Sequence, residues 1–263
     1  MVALDLALAL AAAPVLAASA YLALLAVLAR RPPLPPALEQ VPRLRFDLLV
    51  PAHDEAANIA ATVKSLLALD YPASLRRVVV VADNCRDETA RLAAEAGAAV
   101  WVREHRQRVG KGHALAFAFS RCLAEGWSDA VVVVDADTLV SPSLLQAYSA
   151  RLEQGARALQ ADYGVRNPDD SWRTRLAAIA FALFHTVRSL ARERLGLSCG
   201  LRGNGMCFTT GLLREVPYAA FSLVEDVEYG LRLGEAGQRV WYADEARVYG
   251  EMVSTAHASA SQR

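Results

Sequence analysis

The apolar and polar positions divide the chain near residue 30 into two parts of different character. Residues 2–28 are almost all Ala, Leu and Val, interrupted only by Asp5, Pro14, Ser19 and Tyr21. About 20 such residues suffice to cross a bilayer as a helix. The run carries Asp5 near its start and no Lys or Arg, so it reads as a retained anchor rather than a cleaved leader. Arg30 and Arg31 follow it, with Arg43 and Arg45 shortly after. The positive-inside rule therefore predicts a single pass, residues 1–30, through the cell's inner membrane, with the rest of the chain in the cytoplasm. Pro32, Pro33, Pro35, Pro36 and Pro42 make residues 31–45 a stiff, extended linker.

Beyond the linker, strand and helix patterns alternate. Residues 46–50, 77–81, 98–102 and 131–134 are short runs rich in apolar and β-branched residues, and residues 56–69, 87–96 and 113–125 have helical patterning. Strands this uniformly apolar are buried on both faces. The pattern therefore predicts an α/β domain over residues 46–263, with a mostly parallel sheet flanked by helices. Ligands of such sheets sit at the carboxyl ends of the strands. The polar residues found there are Asp54 and Glu55, Asp83 and Asn84, and Asp135 and Asp137.

Composition sharpens this reading. Hydrophobic residues make up 54% and charged residues 21%, as expected where part of the chain meets lipid. The 28 basic residues balance 28 acidic ones, so there is no global field to attract nucleic acid and an anionic ligand must be held locally. Cys85, Cys122, Cys199 and Cys207 have no zinc-like spacing and read as reduced thiols.

The most informative cluster is Val131-Val-Val-Val-Asp-Ala-Asp137. Two carboxylates one residue apart at a strand end offer hard oxygen ligands for Mg2+ or Mn2+ bridging a diphosphate. A strand-end turn with a capping Asp135 and a solvated Asp137 is the alternative. Earlier in the chain, Arg106, Arg108 and Lys111 surround the loop Gly110-Lys-Gly-His113, which suits phosphates or is simply a solvated basic loop.

In order, Val50-Pro-Ala-His-Asp-Glu55, Val81-Ala-Asp-Asn84, Gly110-Lys-Gly-His113, Asp135-Ala-Asp137, Gly203-Asn-Gly205 and Val224-Glu-Asp226 make residues 46–263 similar to the family 2 glycosyltransferases, which have a Rossmann-like GT-A fold. The resemblance implies transfer of a sugar from a nucleotide-sugar donor, by default a UDP-sugar, to a hydroxyl of a lipid-linked or polysaccharide acceptor. It implies donor contacts for Pro51, His53, Glu55, Asp83, Lys111 and Asp135, and a Mg2+ or Mn2+ on Asp137 and Asp135. Asp226 matches the family's general base, an assignment that fits an inverting displacement. Gly203, Asn204, Gly205, Glu225 and Gln262 fall on the acceptor side. Glu55, Glu225 and Asp226 also have a plain reading as charges favoured at helix N-termini.

Residues 172–195 combine apolar bulk with six basic residues, as an interfacial helix would; a buried core helix is the alternative, with His185 an interior histidine. His257 has no spacing that marks it as a metal ligand. The family's Q-x-x-R-W motif is reached only at its first residue, Gln262, which implies a fragment or weak turnover. Two other function classes stay open in the sequence. One is a sugar nucleotidyltransferase, disfavoured because the first strand is followed by acids rather than a basic glycine-rich loop. The other is a non-catalytic, membrane-bound nucleotide-sugar-binding protein.

Overall fold

The computed structural model describes residues 2–30 and 41–252. Eight strands form one sheet in the order β3-β2-β1-β4-β7-β6-β8-β5. Its first half is wholly parallel and built from β1 (Phe46–Ala52), β2 (Arg76–Asp83), β3 (Ala99–Arg103) and β4 (Ala130–Val133). The second half holds β5 (Thr138–Val140), β6 (Ala158–Val165), β7 (Met206–Thr209) and β8 (Val240–Gly250). Here β7 runs antiparallel between β4 and β6, β8 is parallel to β6, and β5 is antiparallel at the edge.

The central strands are buried on both faces, as their unbroken apolar runs predict. Leu48 and Val50 pack with Ile59, Val63 and Leu66 of α2 (Ile59–Leu67) and with Leu144, Leu145 and Tyr148 of α5 (Leu144–Glu153). Leu49, Val79 and Val81 point the other way. They pack with Leu115, Ala118 and Phe119 of α4 (Lys111–Glu125), Leu212 of α8 (Thr210–Glu215) and Tyr229 of α9 (Glu225–Glu235). α3 (Thr89–Glu95) covers the edge near β3. At the amino ends of the strands the wholly buried Asp47 accepts from Arg77 at 2.7 and 3.0 Å, and Arg77 also meets Glu125 at 2.7 Å.

The helix expected over 56–69 starts three residues late. Glu55 N–H is taken by Thr89 Oγ1 at 2.7 Å and Ala56 N–H by Asp87 at 3.0 Å, so the chain after β1 is tied to the next loop before it coils.

Two apolar elements lie outside the sheet's core. α1 (Val2–Ala29) includes the segment Leu10–Ala29, 20 residues with a mean hydropathy of 2.1, long and apolar enough to cross a membrane. The arm over 172–195 consists of α6 (Trp172–Phe181), a π-helical stretch (Ala182–Val187) and α7 (Arg188–Arg194). It is not the buried core helix considered above. Ser189, Leu190 and Ala191 are covered, whereas Trp172, Leu176, Ile179, Leu183 and Phe184 are each more than half exposed. α1 runs against α7 and the π-helical stretch, with Arg194 donating to Leu28 O at 2.6 Å.

Candidate active site

The parallel strands deliver three loops to one rim, and short polar side chains lace these loops together. Asp54 and Asn84, just beyond β1 and β2, have φ of 53° and 52°. Asp and Asn are among the few residues with a side chain that tolerate this left-handed region. Asp54 Oδ1 accepts the N–H of Arg86 at 2.7 Å and of Asp87 at 3.3 Å, while Asn84 Oδ1 accepts from His105 N–H at 2.8 Å. Asp54, Cys85 and Asp87 bring possible ligand atoms within 4.8 Å of one another. The two carboxylates are already taken up by loop N–H groups and Thr89, so this cluster reads as a rim lock.

Inside the rim lies a cavity of about 510 Å3 lined by Pro51, Ala52, His53, Glu55, Asp83, Asn84, Val109, Gly110, Lys111, Ala114, Asp135, Ala136 and Asp137. It gathers all six expected donor residues and the expected metal ligand. Asp83 is only 4% exposed. Its Oδ1 accepts from the Arg103 guanidinium and, at 3.1 Å, from Asn84 Nδ2. His53 Nδ1 lies 2.8 Å from Asp83 O.

Asp135 and Asp137 follow β4. Asn204 Oδ1 takes the Asp135 N–H at 3.1 Å, and Lys111 Nζ donates to Asp135 Oδ1 and, at 2.9 Å, to Gly203 O. Burial, then the neighbouring Asp135, pushes Asp137 above the usual carboxylate range. Burial also raises Glu55, with Asp137 and Asp135 adding to it against a bond from Asn58. Burial opposes the charge on Lys111, yet Asp135, Glu225 and Asp226 together hold its pKa above the ordinary lysine value. Four carboxylates, Glu55, Asp83, Asp135 and Asp137, thus line one cavity; Asp83 pairs with Arg103 and Asp135 with Lys111, and among the described residues Asp137 and Glu55 form no ion pair. Hard oxygen donors with uncompensated charge are a donor set that fits Mg2+ or Mn2+.

The loop Gly110-Lys-Gly-His113 has a separate use for each residue. Gly110 turns the chain into α4 with φ of 106°, and Lys111 enters the acidic cluster. Gly112 passes so close to the next loop that a Cβ there would lie 2.3 Å from Ala220 O, and His113 stacks on Phe221 at 4.4 Å. That loop leads into α9. Glu228 ties it down by accepting the N–H groups of Phe221 and Ser222 at 3.0 and 3.1 Å. Glu225 and Asp226 therefore open α9 beside the donor cavity. Glu225 Oε1 is 3.8 Å from Lys111 Nζ, and burial raises its pKa despite Lys111. A Cβ on Gly203 would lie 3.3 Å from Lys111 Nζ and 3.6 Å from Asp226 Oδ2, so Gly203 is the backbone shared by the two side chains.

Asn204 and Gly205 are wholly buried behind this cluster. Asn204 holds Asp135 on one side and donates to Thr138 Oγ1 at 2.8 Å on the other. A Cβ on Gly205 would meet Ala161 at 2.8 Å, so its place is packing. Arg106 and Arg108 stay on the exposed loop after β3 and do not line the donor cavity. His185 lies in the arm, away from that cavity. Gln262 and His257 lie outside the described residues.

Sequence reasoning passed over Arg103, which ends β3 opposite Asp83 in register. A charged residue closing an apolar strand beside a strand that closes on Asp was the available signal. It also passed over the buried polar clamp made by Asn204, which only the partners of its side chain reveal.

A family model described as glycosyltransferase-like family 2 matches residues 42–263. The Bacillus subtilis protein described as "Probable glycosyltransferase YdaM" is 24% identical over 214 residues, 77% of this chain and 49% of the relative. The chain therefore spans about half the length of that curated relative. Among solved structures, the mannosyltransferase PcManGT of Pyrobaculum calidifontis, in complex with GDP-Man and Mn2+, has a TM-score of 0.73 and 21% identity over 97% of this chain and 70% of its own. Glucosyl-3-phosphoglycerate synthase of Mycobacterium tuberculosis, with Mn2+, UDP and phosphoglyceric acid, has a TM-score of 0.57 and 20% identity, covering 82% and 74% of the two chains. TarS 1-349 of S. aureus, in complex with UDP-GlcNAc, also has a TM-score of 0.57 and 20% identity, with coverage of 82% and 61%. At these identities the likeness shows the fold, which is GT-A.

Proposed function

The chain belongs to the glycosyltransferase-like family 2, and from that premise we propose that it transfers a sugar from a nucleotide-sugar donor, a UDP-sugar by default, to an acceptor hydroxyl at a membrane surface. The observation that carries this reading is the meeting of two functions at Gly203. Lys111, on the wall of the acidic cavity, and Asp226, on the far side, approach the same glycine. A donor in the cavity then has a carboxylate directly beyond its reacting end.

In this reading Asp83, with Pro51, His53 and Glu55, holds the nucleoside, since carboxylates accept from an imide N–H or ribose hydroxyls. Arg103 is a positioning residue that fixes Asp83. Asp135 and Asp137 would hold a Mg2+ or Mn2+, which would supply positive charge to neutralise the diphosphate leaving group. The Mn2+ in the complexes of two structural neighbours supports that assignment. Asp226 takes the proton of the acceptor hydroxyl as its oxygen bonds to the anomeric carbon and the bond to the nucleoside diphosphate breaks. With Asp226 acting as the base for a single in-line displacement, the anomeric configuration is inverted. Glu225, Gly203, Asn204 and Gly205 support this acceptor side. Residues 1–30 anchor the domain, residues 46–263, on the cytoplasmic face of the membrane, consistent with the length and apolarity of α1.

Calorimetry of UDP against the full chain with Mn2+, Mg2+ or chelator tests the donor site. Wild type should bind at least about 10-fold more tightly with metal, and Asp137→Ala should lose most of that gain. Equal affinity with metal and with chelator would overturn the assignment of Asp135 and Asp137.

A further inference from the structure

Beyond Asp226 lies a second cavity, of about 760 Å3, between the arm and α9. Three arginines line it beside two carboxylates, Asp226 and Glu235, so its charge is mainly basic where the donor cavity's is acidic. Arg188, Arg192 and Arg202 all reach it. The guanidinium carbons of Arg188 and Arg202 lie 4.8 and 4.9 Å from the centre of one ring, that of Phe184. Their hydrogen bonds go to neutral groups. Arg202 donates to Ser189 Oγ at 2.5 Å, and Arg192 to Ser198 O at 2.7 Å and the Tyr21 hydroxyl at 3.2 Å. Among the described residues none of the three forms an ion pair with a carboxylate, and the Arg188 guanidinium makes no hydrogen bond.

Two further observations suit an anion-binding role. Burial, and after it the nearness of Arg188, holds Arg202 below the ordinary arginine value. On the same wall, His185 Nδ1 is buried without a hydrogen-bond partner. Converging guanidinium groups without counter-ions are costly to bury, and a phosphate offers oxygens that match their planar forks.

The surroundings indicate what carries the phosphate. α7 packs along α1, whose 20-residue apolar segment is 6% buried. The π-helical stretch, which also runs against α1, exposes Leu183, and α6 before it exposes Trp172, Leu176 and Ile179. A contiguous apolar face adjoining a helix long enough to span a bilayer is suited to lie in lipid. The arginine cavity thus has its acidic end at Asp226 and its walls continuous with lipid-facing surface.

We propose that this cavity is the acceptor subsite and that it takes a membrane lipid with a phosphate in its headgroup. Arg188 and Arg202 hold the phosphate, the hydrocarbon lies along the arm beside α1, and the headgroup hydroxyl to be glycosylated reaches Asp226. The assignment rests on the glycosyl-transfer reading for its use, though not for its binding.

The test follows thermal stabilisation of the full chain in neutral detergent by three probes. These are a short-chain phosphatidic acid, a diacylglycerol of the same chain length, which lacks the phosphate, and inorganic phosphate, with UDP plus Mn2+ measured in parallel. Phosphatidic acid should act at concentrations at least about 10-fold lower than either other probe. Arg188→Gln and Arg202→Gln should each weaken that binding about 10-fold, leaving UDP binding unchanged. Arg202 is partly buried, so Arg188→Gln decides the matter if Arg202→Gln fails to fold. Equal response to the diacylglycerol, an equal response to inorganic phosphate, or wild-type affinity in Arg188→Gln would each overturn the lipid-phosphate assignment. If UDP with metal still binds in those cases, the subsite fails alone. If phosphatidic acid binds selectively while UDP with metal does not, the site stands and the glycosyl-transfer reading fails.

Discussion

The cavities on either side of Asp226 are made of opposite materials and have opposite degrees of completion. On the donor side, Asp83 is held by Arg103 and Asn84, Asp135 by Asn204 and Lys111, the loop after Asp83 by Asp54, and the loop leading to Asp226 by Glu228. On the other side, Arg188 and Arg202 share an aromatic ring, His185 Nδ1 has no hydrogen-bond partner among the described residues, and Trp172, Leu176 and Ile179 of α6 are more than half exposed. The contrast separates two ways of binding. A diphosphate and its cation need oxygens fixed before they arrive, because misplacement costs rate steeply. A surface completed by a large, mobile partner needs only charge and apolar area in the right order along it.

The strongest way to break the comparison is at the join. Asp226→Asn keeps the size and most hydrogen bonding of the side chain but removes the proton acceptor. Transfer should fall by about 10² to 10⁴, with UDP affinity within a few-fold of wild type. Near-normal transfer would make Asp226 a helix-start charge and move the search for the base to Glu225.

A smaller effect separates the two regions by stability. Asp47→Ala strips the wholly buried partner from Arg77 and should cost about 3 kcal/mol in denaturant unfolding, the lower end of the range for a broken buried pair because Glu125 still meets Arg77. Leu176→Ser, on the exposed apolar face, should change stability in detergent by no more than about 0.5 kcal/mol. A large loss from Leu176→Ser would mean that the arm is packed against protein after all.

The same contrast governs what was legible in the sequence. Residues 131–134 are buried on both faces, so their apolarity announced a central strand, and the acids that end such strands announced the cavity. The antiparallel insertion of β7 between β4 and β6 was not legible, because register is set by long-range pairing that no local period encodes. Within the site, Asp135 and Asp137 were visible as chemistry, whereas Asn204 was visible only as an acceptor-side residue, not as the clamp on Asp135, and Arg103 was not visible at all. Both work by bonding residues 69 and 20 positions away. The arm was the hardest to read. An apolar helix with basic residues has the same pattern whether protein or lipid covers it, and only the exposure of Trp172, Leu176 and Ile179 separates the two.

The finest test of the comparison uses pH, because the two sides should respond with opposite sign. In the basic cavity, burial and then Arg202 and Arg188 push His185 down to about 4. The unfolded chain protonates this histidine near its ordinary value of about 6.5, whereas the folded chain does not until about 4. Below about 6.5 the unfolded state therefore binds the extra proton, and stability is lost as pH falls toward 4. On the acidic side, burial raises Glu225. The folded state holds that proton to higher pH than the unfolded one, so the charged Glu225 costs stability above its raised pKa and the cost is relieved on acidification. His185→Gln should accordingly lessen the loss of Tm between pH 7 and pH 4.5, and Glu225→Gln should enlarge it while raising Tm at pH 7. Both groups are partly open to water, so each effect should be on the order of 1 kcal/mol or less after screening. Parallel melting curves for His185→Gln and wild type would show that the arginine cavity does not act on His185 as its geometry implies, and would remove one of the two signs of an uncompensated positive site.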